Sequence, residues 1–308
     1  MIIVTSGQAY VDIDAYAGCV AYAELLRLSG EQAEAVLEPT LNASITPYLR
    51  SLSVQYSDAY QPNNDDTYVI IDTSEVSTFA RFVVQERIRE VIDHHPGFEN
   101  YWAERKHVRP QIEVVGAACT QIFERWQTTD RLTEMSTEIA KLLMAGILDN
   151  TLGLKAQITT SRDVDAYRKL QEAVGDNGAF IETYFEDCQA LIEQDVADAV
   201  SNDIKTPTYP NLGITPTGQL AVWDGAQMIQ NHLHDIESAI GRNENWLFNL
   251  ISISDGKSLL ISNNGTVRQY FADLLGVNFD KRGVAQAERL WLRKEIMKTA
   301  IETHGEIA

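Results

Sequence analysis

The first 170 residues alternate short apolar runs with longer stretches in which apolar side chains recur every three or four positions. A short apolar run bounded by turn residues predicts a buried strand, and the longer spacing predicts an amphipathic helix. The predicted strands cover residues 2–5, 67–71, 91–93 and 112–115, and the predicted helices cover 15–28, 117–126 and 136–148. This alternation indicates an α/β domain with a doubly wound, mainly parallel sheet.

The pattern restarts after residue 203, which predicts a second and smaller α/β domain. Its predicted strands cover 220–223, 247–253 and 258–261, and its predicted helices lie near 225–241 and 266–275. A polar-rich helical stretch at 181–199 leads into the connection. With 308 residues and a prior of ~150 per domain, we predict a catalytic domain at 1–188, a linker at 189–202 and a second domain at 203–308.

The composition of the chain indicates which kinds of partner it can bind and in which cell compartment we expect it. The formal net charge is −19, from 25 basic and 44 acidic residues, so a broad basic face for nucleic acid or an anionic membrane is not expected. The N-terminus lacks a basic-then-apolar signal, and no apolar run approaches the ~18 residues of a membrane span. Three cysteines far apart do not suggest a disulfide framework. We therefore expect a cytoplasmic protein.

Acidic and imidazole side chains close four of the apolar elements. They are Asp12 and Asp14 after the first strand, Asp72 after the second, Asp93, His94 and His95 at the third, and Asp149 at the end of an apolar helix. Any one of them alone is as well explained as a helix cap, a polar exit from the core or a solvated histidine pair. Together in one domain they predict oxygen and nitrogen ligands for two divalent cations, of the kind that suit Mn²⁺, Co²⁺ or Fe²⁺.

The order of these motifs resembles the DHH phosphoesterase superfamily. The small-residue segment 116–120 is similar to the family's helix-opening segment, and residues 152–163 are similar to the stretch that follows the fourth motif in family II (manganese-dependent) inorganic pyrophosphatases. Lys205, the Gly218-Gln219 pair and the Arg293-Lys294 pair resemble the second domain that these pyrophosphatases share with exopolyphosphatases and Prune-type proteins.

The resemblance implies a phosphohydrolase that cleaves pyrophosphate or short polyphosphate, a small phosphate-containing substrate, with a water activated by two metal ions. The metal would be Mn²⁺, Mg²⁺ or Co²⁺, with two ions per chain and one of them held weakly. The implied metal ligands are Gln8, Asp12, Asp14, Asp72, His94 and Asp149. The residues implied to face phosphate as catalytic groups are His95, Lys205, Arg293 and Lys294.

Departures from the family pattern leave alternatives open. Gln8 stands where family II pyrophosphatases have a histidine ligand and where exopolyphosphatases and Prune-type proteins have an asparagine. Leu292 and Glu295 weaken the cationic patch beside the Arg293-Lys294 pair. A non-catalytic regulatory protein with a degenerate site is therefore one alternative. A nucleotide phosphodiesterase is another, although the chain has no Gly-Gly pair of the kind those enzymes use. Both a homodimer and a monomer fit the resemblance.

Overall fold

The computed structural model describes residues 1–8, 11–38, 40–205, 217–241 and 245–304. The chain divides into two compact units, Met1–Tyr184 and Phe185–Ala308. The domain limits inferred from the sequence stay a prediction. The residues assigned to a linker, 189–202, are almost entirely helical.

The first unit is built from five strands and six complete helices within its described part. The strands are β1 (Ile2–Thr5), β2 (Ala33–Ala35), β3 (Thr67–Ile71), β4 (Ile88–Asp93) and β5 (Arg109–Ile112). The helices are α1 (Ile13–Leu28), α2 (Pro47–Arg50), α3 (Glu99–Ala103), α4 (Ala118–Thr128), α5 (Thr137–Thr151) and α6 (Ser161–Val174). Short 3₁₀ turns lie at Val76–Thr78, Gln85–Arg87 and Leu132–Glu134.

The strands form one parallel sheet in the order β2-β1-β3-β4-β5. This arrangement confirms the predicted fold class. Ile3, Tyr68 and Ile70 are fully buried and pack in one core cluster with Trp102 of α3, while α1 packs against α4 and α5. Because all five strands are parallel, their carboxyl ends meet at one edge of the sheet, where ligands bind in open α/β folds.

The second unit has a four-stranded sheet. Helix α7 (Ala179–Gln194) crosses the division between the units and is followed by α8 (Val196–Asp203), β6 (Thr217–Val222), α9 (Gly225–Ile240), β7 (Leu247–Ser252), β8 (Lys257–Ile261), α10 (Gly265–Leu275), β9 (Val284–Ala287) and α11 (Arg293–His304). The strand order is β6-β7-β8-β9; β6 and β7 are parallel, whereas β8 runs antiparallel to both neighbours. In neither unit is any helix of the described residues long and apolar enough to cross a membrane.

Some predicted elements differ from those in the structure, because polar residues obscured where a strand or helix begins and ends. The strand predicted at 112–115 lies instead at Arg109–Ile112 (β5), whose exposed Arg109 and Pro110 are typical of a loop. Proline is tolerated there because β5 is an edge strand. The single helix predicted at 181–199 is two helices, because Asp195 leaves helical geometry and caps α8 by accepting from the Asp198 N–H. Strands β2 and β9 were not predicted.

Candidate metal centre

Two strands end side by side in acidic residues. Asp93 is the last residue of β4, and Asp72 directly follows β3 with its N–H donating to the carbonyl oxygen of Ile92 at 2.8 Å. Asp72 has a φ of 63°, in the left-handed region that residues other than glycine rarely adopt. Such strain persists only where the surroundings enforce it, and it concentrates at functional sites. Here it accompanies the sharp turn that leads the chain out of β3.

His94 is buried and held in one tautomer. Its Nδ1 lies 3.1 Å from the carbonyl oxygen of Val115, an acceptor only, so Nδ1 carries a proton and Nε2 is the nitrogen that can coordinate a metal. That Nε2 is 3.3 Å from Asp72 Oδ1 and 3.7 Å from Asp14 Oδ2. Within the described residues neither His94 Nε2 nor Asp72 Oδ1 has a hydrogen-bond partner. Lone pairs of buried acceptors face one another across this gap, which a cation would relieve.

Asp14 is buried in the first turn of α1 and is held by the start of another helix. Its two carboxylate oxygens accept from the N–H groups of Ala118 and Cys119, each at 2.7 Å, and from Asn150 Nδ2 at 2.8 Å. The N-terminus of α4 is electropositive, which suits a carboxylate. Burial nevertheless raises the pKa of Asp14, although the hydrogen bonds and His94 act in the opposite direction.

The start of α4 is itself fixed by a second buried carboxylate, Asp163. Asp163 accepts from the N–H of Gly116 at 2.9 Å, from Thr120 Oγ1 at 2.6 Å and from the N–H of Thr160 at 2.7 Å, where it completes the capping box of α6. A Cβ added at Gly116 would lie 2.7 Å from Asp163 Oδ2, so only glycine permits this approach. Asp163 thus positions the donors that hold Asp14.

Asp12 and Asp149 complete the acidic cluster. Asp12 caps α1 by accepting from the N–H of Ala15 at 3.0 Å, and Asp149 in the last turn of α5 accepts from the Tyr184 hydroxyl at 2.9 Å. Burial raises the pKa of Asp149 to about 7, against the Tyr184 hydrogen bond and with the charges of Asp12 and Asp14. These carboxylates therefore act on one another electrostatically.

Asp72 shows the same effect more strongly. Burial, followed by the charges of Asp14 and Asp12, raises its pKa well above the usual value for an aspartate. Crowded carboxylates resist ionisation when no cation is present, and a bound divalent ion reverses that tendency. The acids and the His94 imidazole therefore fit a divalent cation by charge as well as by ligand chemistry.

His95 differs from His94 in exposure and in role. Its Nδ1 lies 2.9 Å from Asp93 Oδ1, and 62% of its side chain is exposed. The hydrogen bond to Asp93 raises the pKa of His95. Burial pushes the pKa of Asp93 upward, but hydrogen bonds from His95 and Ser74 outweigh it and leave that pKa below its usual value. His95 is thus an oriented imidazole with an increased tendency to hold a proton.

The structure brings together part of the predicted ligand set. One ligand atom each from Asp72, His94 and His95 lies within 4.8 Å of the others, and Asp14 adjoins them. The side chain of Gln8 makes two other contacts: its Nε2 donates to the carbonyl oxygen of Ser77 at 3.0 Å, and its Oε1 accepts from Arg81 Nε at 3.3 Å. The metal and catalytic roles of all ten predicted residues stay predictions.

Lys205, Arg293 and Lys294 lie together in the second unit. They line a cleft of about 470 Å³, together with Thr217, Met297, Lys298, Ile301 and Glu302. Arg293 Nη1 is anchored 2.6 Å from Asp203 Oδ2. Lys205, Lys294 and Lys298 keep the cleft cationic in an otherwise acidic chain.

Sequence reasoning missed the groups that hold the ligands. Asp163 carried a signal, since Thr160 and Asp163 have the spacing of a capping box, but its bonds to Gly116 and Thr120 depend on tertiary packing. Tyr184 is 35 positions from Asp149, and no local pattern joins them. Arg81 carried no signal either.

Comparison with protein families gives a match to the DHH family, N-terminal domain, over residues 2–147. Among curated proteins, candidate manganese-dependent inorganic pyrophosphatases of Bacillus pumilus and Bacillus mycoides are 27% and 29% identical to this chain, each over 55% of this chain and 54% of their own length. The chain thus spans about half the length of the curated relatives it matches.

Solved structures resemble the fold over nearly the whole chain. A candidate family II inorganic pyrophosphatase of Methanococcus jannaschii aligns over 97% of this chain and 99% of its own, with a TM-score of 0.64 and 17% identity. An exopolyphosphatase-related protein of Bacteroides fragilis aligns over 98% of this chain and 90% of its own, with a TM-score of 0.53 and 13% identity. At these identities the likeness concerns the fold alone.

Proposed function

We propose, because residues 2–147 belong to the DHH family, that the protein is a metal-dependent phosphohydrolase that cleaves phosphoanhydride bonds of pyrophosphate or short polyphosphate. The observation that carries the proposal is the gap between His94 Nε2 and the carboxylates of Asp72 and Asp14, at 3.3 and 3.7 Å. Unpartnered buried polar atoms are costly, and a divalent cation bound between His94 Nε2 and Asp72 Oδ1 would remove that cost. The names of the pyrophosphatase relatives supply the class of substrate.

Asp14, Asp72 and His94 would hold this cation, with Asp12 and Asp149 adding negative charge. When bound, a divalent cation lowers the pKa of a coordinated water and polarises a phosphate oxygen. The chain's own groups prepare the site. Val115 fixes the tautomer of His94, and α4 fixes the orientation of Asp14. Outer contacts of this kind raise metal affinity because the ligands need not be ordered on binding.

His95 would supply the proton chemistry. Its Nδ1 is engaged by Asp93, so its Nε2 is the nitrogen that can meet a substrate oxygen. The hydrogen bond to Asp93 raises the pKa of His95, which favours the protonated imidazole. We assign to His95 the hydrogen bond to the transferred phosphate and proton donation to the departing oxygen. Asp93 is then the positioning residue that orients the ring.

Phosphate binding in the second unit is the role that we assign to Lys205, Arg293 and Lys294, which line its cleft. Guanidinium and ammonium groups stabilise the charge of a transferring phosphoryl group. Asp203 anchors Arg293 through an ion pair of 2.6 Å, which fixes the direction of its guanidinium group.

A phosphate-release assay tests the proposal. Chelator-stripped protein is supplied with Mn²⁺, Mg²⁺ or Co²⁺ and offered pyrophosphate, tripolyphosphate and long-chain polyphosphate, with Asp149→Ala as the defective variant. We expect Mn²⁺-dependent release that Asp149→Ala abolishes. No release above background from any of the three substrates, with parent and variant alike, would instead support the non-catalytic regulator. Formation of nucleoside monophosphate or a linear dinucleotide from a short oligonucleotide or a cyclic dinucleotide, without phosphate release from the three substrates, would support the phosphodiesterase.

A further inference from the structure

Gln8 and Arg81 lie on the two loops that lead to the metal ligands. Gln8 follows β1 in the sequence, and Asp12 and Asp14 lie at the start of α1; Asp72 directly follows β3, and Arg81 comes nine residues after it. The backbones of these loops are joined: the Gln8 N–H donates to the carbonyl oxygen of Thr78 at 2.8 Å, and the Ala80 N–H donates to that of Ser6 at 3.1 Å. Gln8 is therefore fixed at the carboxyl edge of the sheet.

Both polar atoms of the Gln8 amide group form hydrogen bonds. Its Nε2 donates to the Ser77 carbonyl at 3.0 Å, and its Oε1 accepts from Arg81 Nε at 3.3 Å. Amide oxygen and nitrogen can be confused, but here only one orientation satisfies a carbonyl on one side and a guanidinium on the other. The oxygen that would have to ligate a metal is thus occupied by a cation. A divalent ion on the same oxygen would be repelled by Arg81.

Arg81 itself is an exposed cation with most of its donors uncommitted. Seven other arginines of the first unit form ion pairs with carboxylates, namely Arg27, Arg89, Arg109, Arg125, Arg131, Arg162 and Arg168. Among the described residues no carboxylate is within ion-pair distance of Arg81, although the chain has 44 acidic residues. A guanidinium has five N–H donors in a fork that matches two phosphate oxygens, and Gln8 accepts from only one of them.

We propose that Arg81, positioned by Gln8, binds substrate phosphate in place of a second metal ion, so that the chain holds one divalent cation tightly and not two. The single cation lies at Asp14, Asp72 and His94, where Asp72 Oδ1 and His94 Nε2 have no hydrogen-bond partner among the described residues. Arg81, hydrogen-bonded to Gln8 Oε1 at 3.3 Å, supplies the additional positive charge. The inference rests on the proposed function only for the nature of the anion; the number of metal ions can be measured without any turnover.

Metal stoichiometry is the first test. Chelator-stripped parent, Arg81→Ala, Gln8→His and the Gln8→His/Arg81→Ala double variant are titrated with Mn²⁺ by calorimetry, and bound manganese is counted by mass spectrometry after dialysis. We expect one tight Mn²⁺ in the parent and in Arg81→Ala. We expect two in the double variant, with the electron paramagnetic resonance signal of a coupled manganese pair. Two equally tight ions in the parent would overturn the proposal.

Anion affinity is the second test, and it uses imidodiphosphate as a probe that resists hydrolysis. With one Mn²⁺ bound, Arg81→Ala should weaken imidodiphosphate binding by at least about tenfold, the scale of one or two charge-assisted hydrogen bonds. Arg87→Ala is the matched control, because Arg87 is also free of carboxylate partners among the described residues and bonds only the Asn63 carbonyl, at 3.3 Å. Equal affinity of Arg81→Ala and Arg87→Ala would refute the role of Arg81.

These outcomes separate the inference from the proposed function. A protein that releases no phosphate but binds one Mn²⁺, and loses imidodiphosphate affinity in Arg81→Ala, would support the inference and contradict the enzyme. A protein that hydrolyses pyrophosphate but binds two tight Mn²⁺ ions would do the reverse. Arg81 is exposed, so its replacement by alanine should not disturb folding, and the test does not depend on whether Gln8→His folds.

Discussion

The candidate metal centre of the first unit and the cationic cleft of the second unit differ in burial and in the contacts that hold their side chains. His94 and Asp14 are 4% and 0% exposed, and backbone groups fix both of them. In the cleft, Lys298 is 75% exposed and pairs only with its helical neighbour Glu302 at 3.7 Å among the described residues. When buried side chains hold one another in place, removal of any one of them should disrupt the whole arrangement. A charged helix surface is expected to weaken by degrees.

The largest effect should follow loss of the buried imidazole. His94→Ala removes a nitrogen ligand, and since loss of outer contacts alone costs 10–100-fold in metal affinity, we expect a loss of more than about a hundredfold. Titration of chelator-stripped protein with Mn²⁺ measures it. The control is His107→Ala, an exposed histidine of the same unit. Unchanged Mn²⁺ affinity in His94→Ala would show that the cluster is not the metal site.

Asp163→Ala should have the next largest effect, although Asp163 touches no predicted ligand. It leaves the Gly116 N–H and the Thr120 hydroxyl without their acceptor and frees the start of α4. We expect a loss of about 2–4 kcal/mol in the free energy of unfolding, and about tenfold or more in Mn²⁺ affinity through Asp14.

The control for this variant lies on the same helix. Asp165 is about half exposed and pairs with Arg168 and Lys169 at the surface, so Asp165→Ala should change stability by no more than about 0.5 kcal/mol. Denaturant unfolding measures both variants. If Asp163→Ala lost stability but kept full Mn²⁺ affinity, Asp163 would support the fold without positioning Asp14.

A smaller effect is expected from pH. With its pKa near 7, Asp149 keeps a proton in the folded, metal-free protein at a pH where the unfolded chain, with a pKa near 3.8, has lost it. The folded state therefore binds more protons, and its stability should fall as pH rises from about 4 to about 7. Metal binding needs the ionised carboxylate, so stabilisation by Mn²⁺ should grow over the same range.

Tyr184→Phe sharpens this test because the Tyr184 hydroxyl lowers the pKa of Asp149. The variant should bind Mn²⁺ severalfold more weakly near pH 7 and as well as the parent above pH ~8.5, where the carboxyl is ionised in both. Thermal unfolding with and without Mn²⁺ across the pH range provides the measurement. Tyr56→Phe, at an exposed tyrosine, is the control. A deficit that persists at high pH would indicate a steric role for Tyr184.

The sequence predicted the positions of Asp72 and His94 at the strand ends better than the groups that hold the site in place. Asp72 and His94 could be predicted because each follows an apolar run, and the ends of parallel strands must meet at one edge. The hydrogen bond between Gly116 and Asp163 and the one between Gln8 and Arg81 could not be predicted. They join residues that are 47 and 73 positions apart in the sequence. Gln8 was predicted to be a metal ligand from its place in a motif, but the direction of its amide group depends on contacts with Ser77 and Arg81.

The smallest effects should come from the cleft, and they test the other side of the comparison. Lys294→Ala should weaken imidodiphosphate binding by about three- to tenfold and Lys298→Ala by less. The effects are small because water and dissolved ions screen the attraction between exposed charges. Both losses should shrink as ionic strength rises from about 0.05 to about 0.5 M, unlike the loss in His94→Ala. Lys281→Ala, an exposed lysine outside the cleft, is the control. A salt-independent loss of His94 magnitude in Lys294→Ala would mean that the cleft is as rigidly organised as the metal centre.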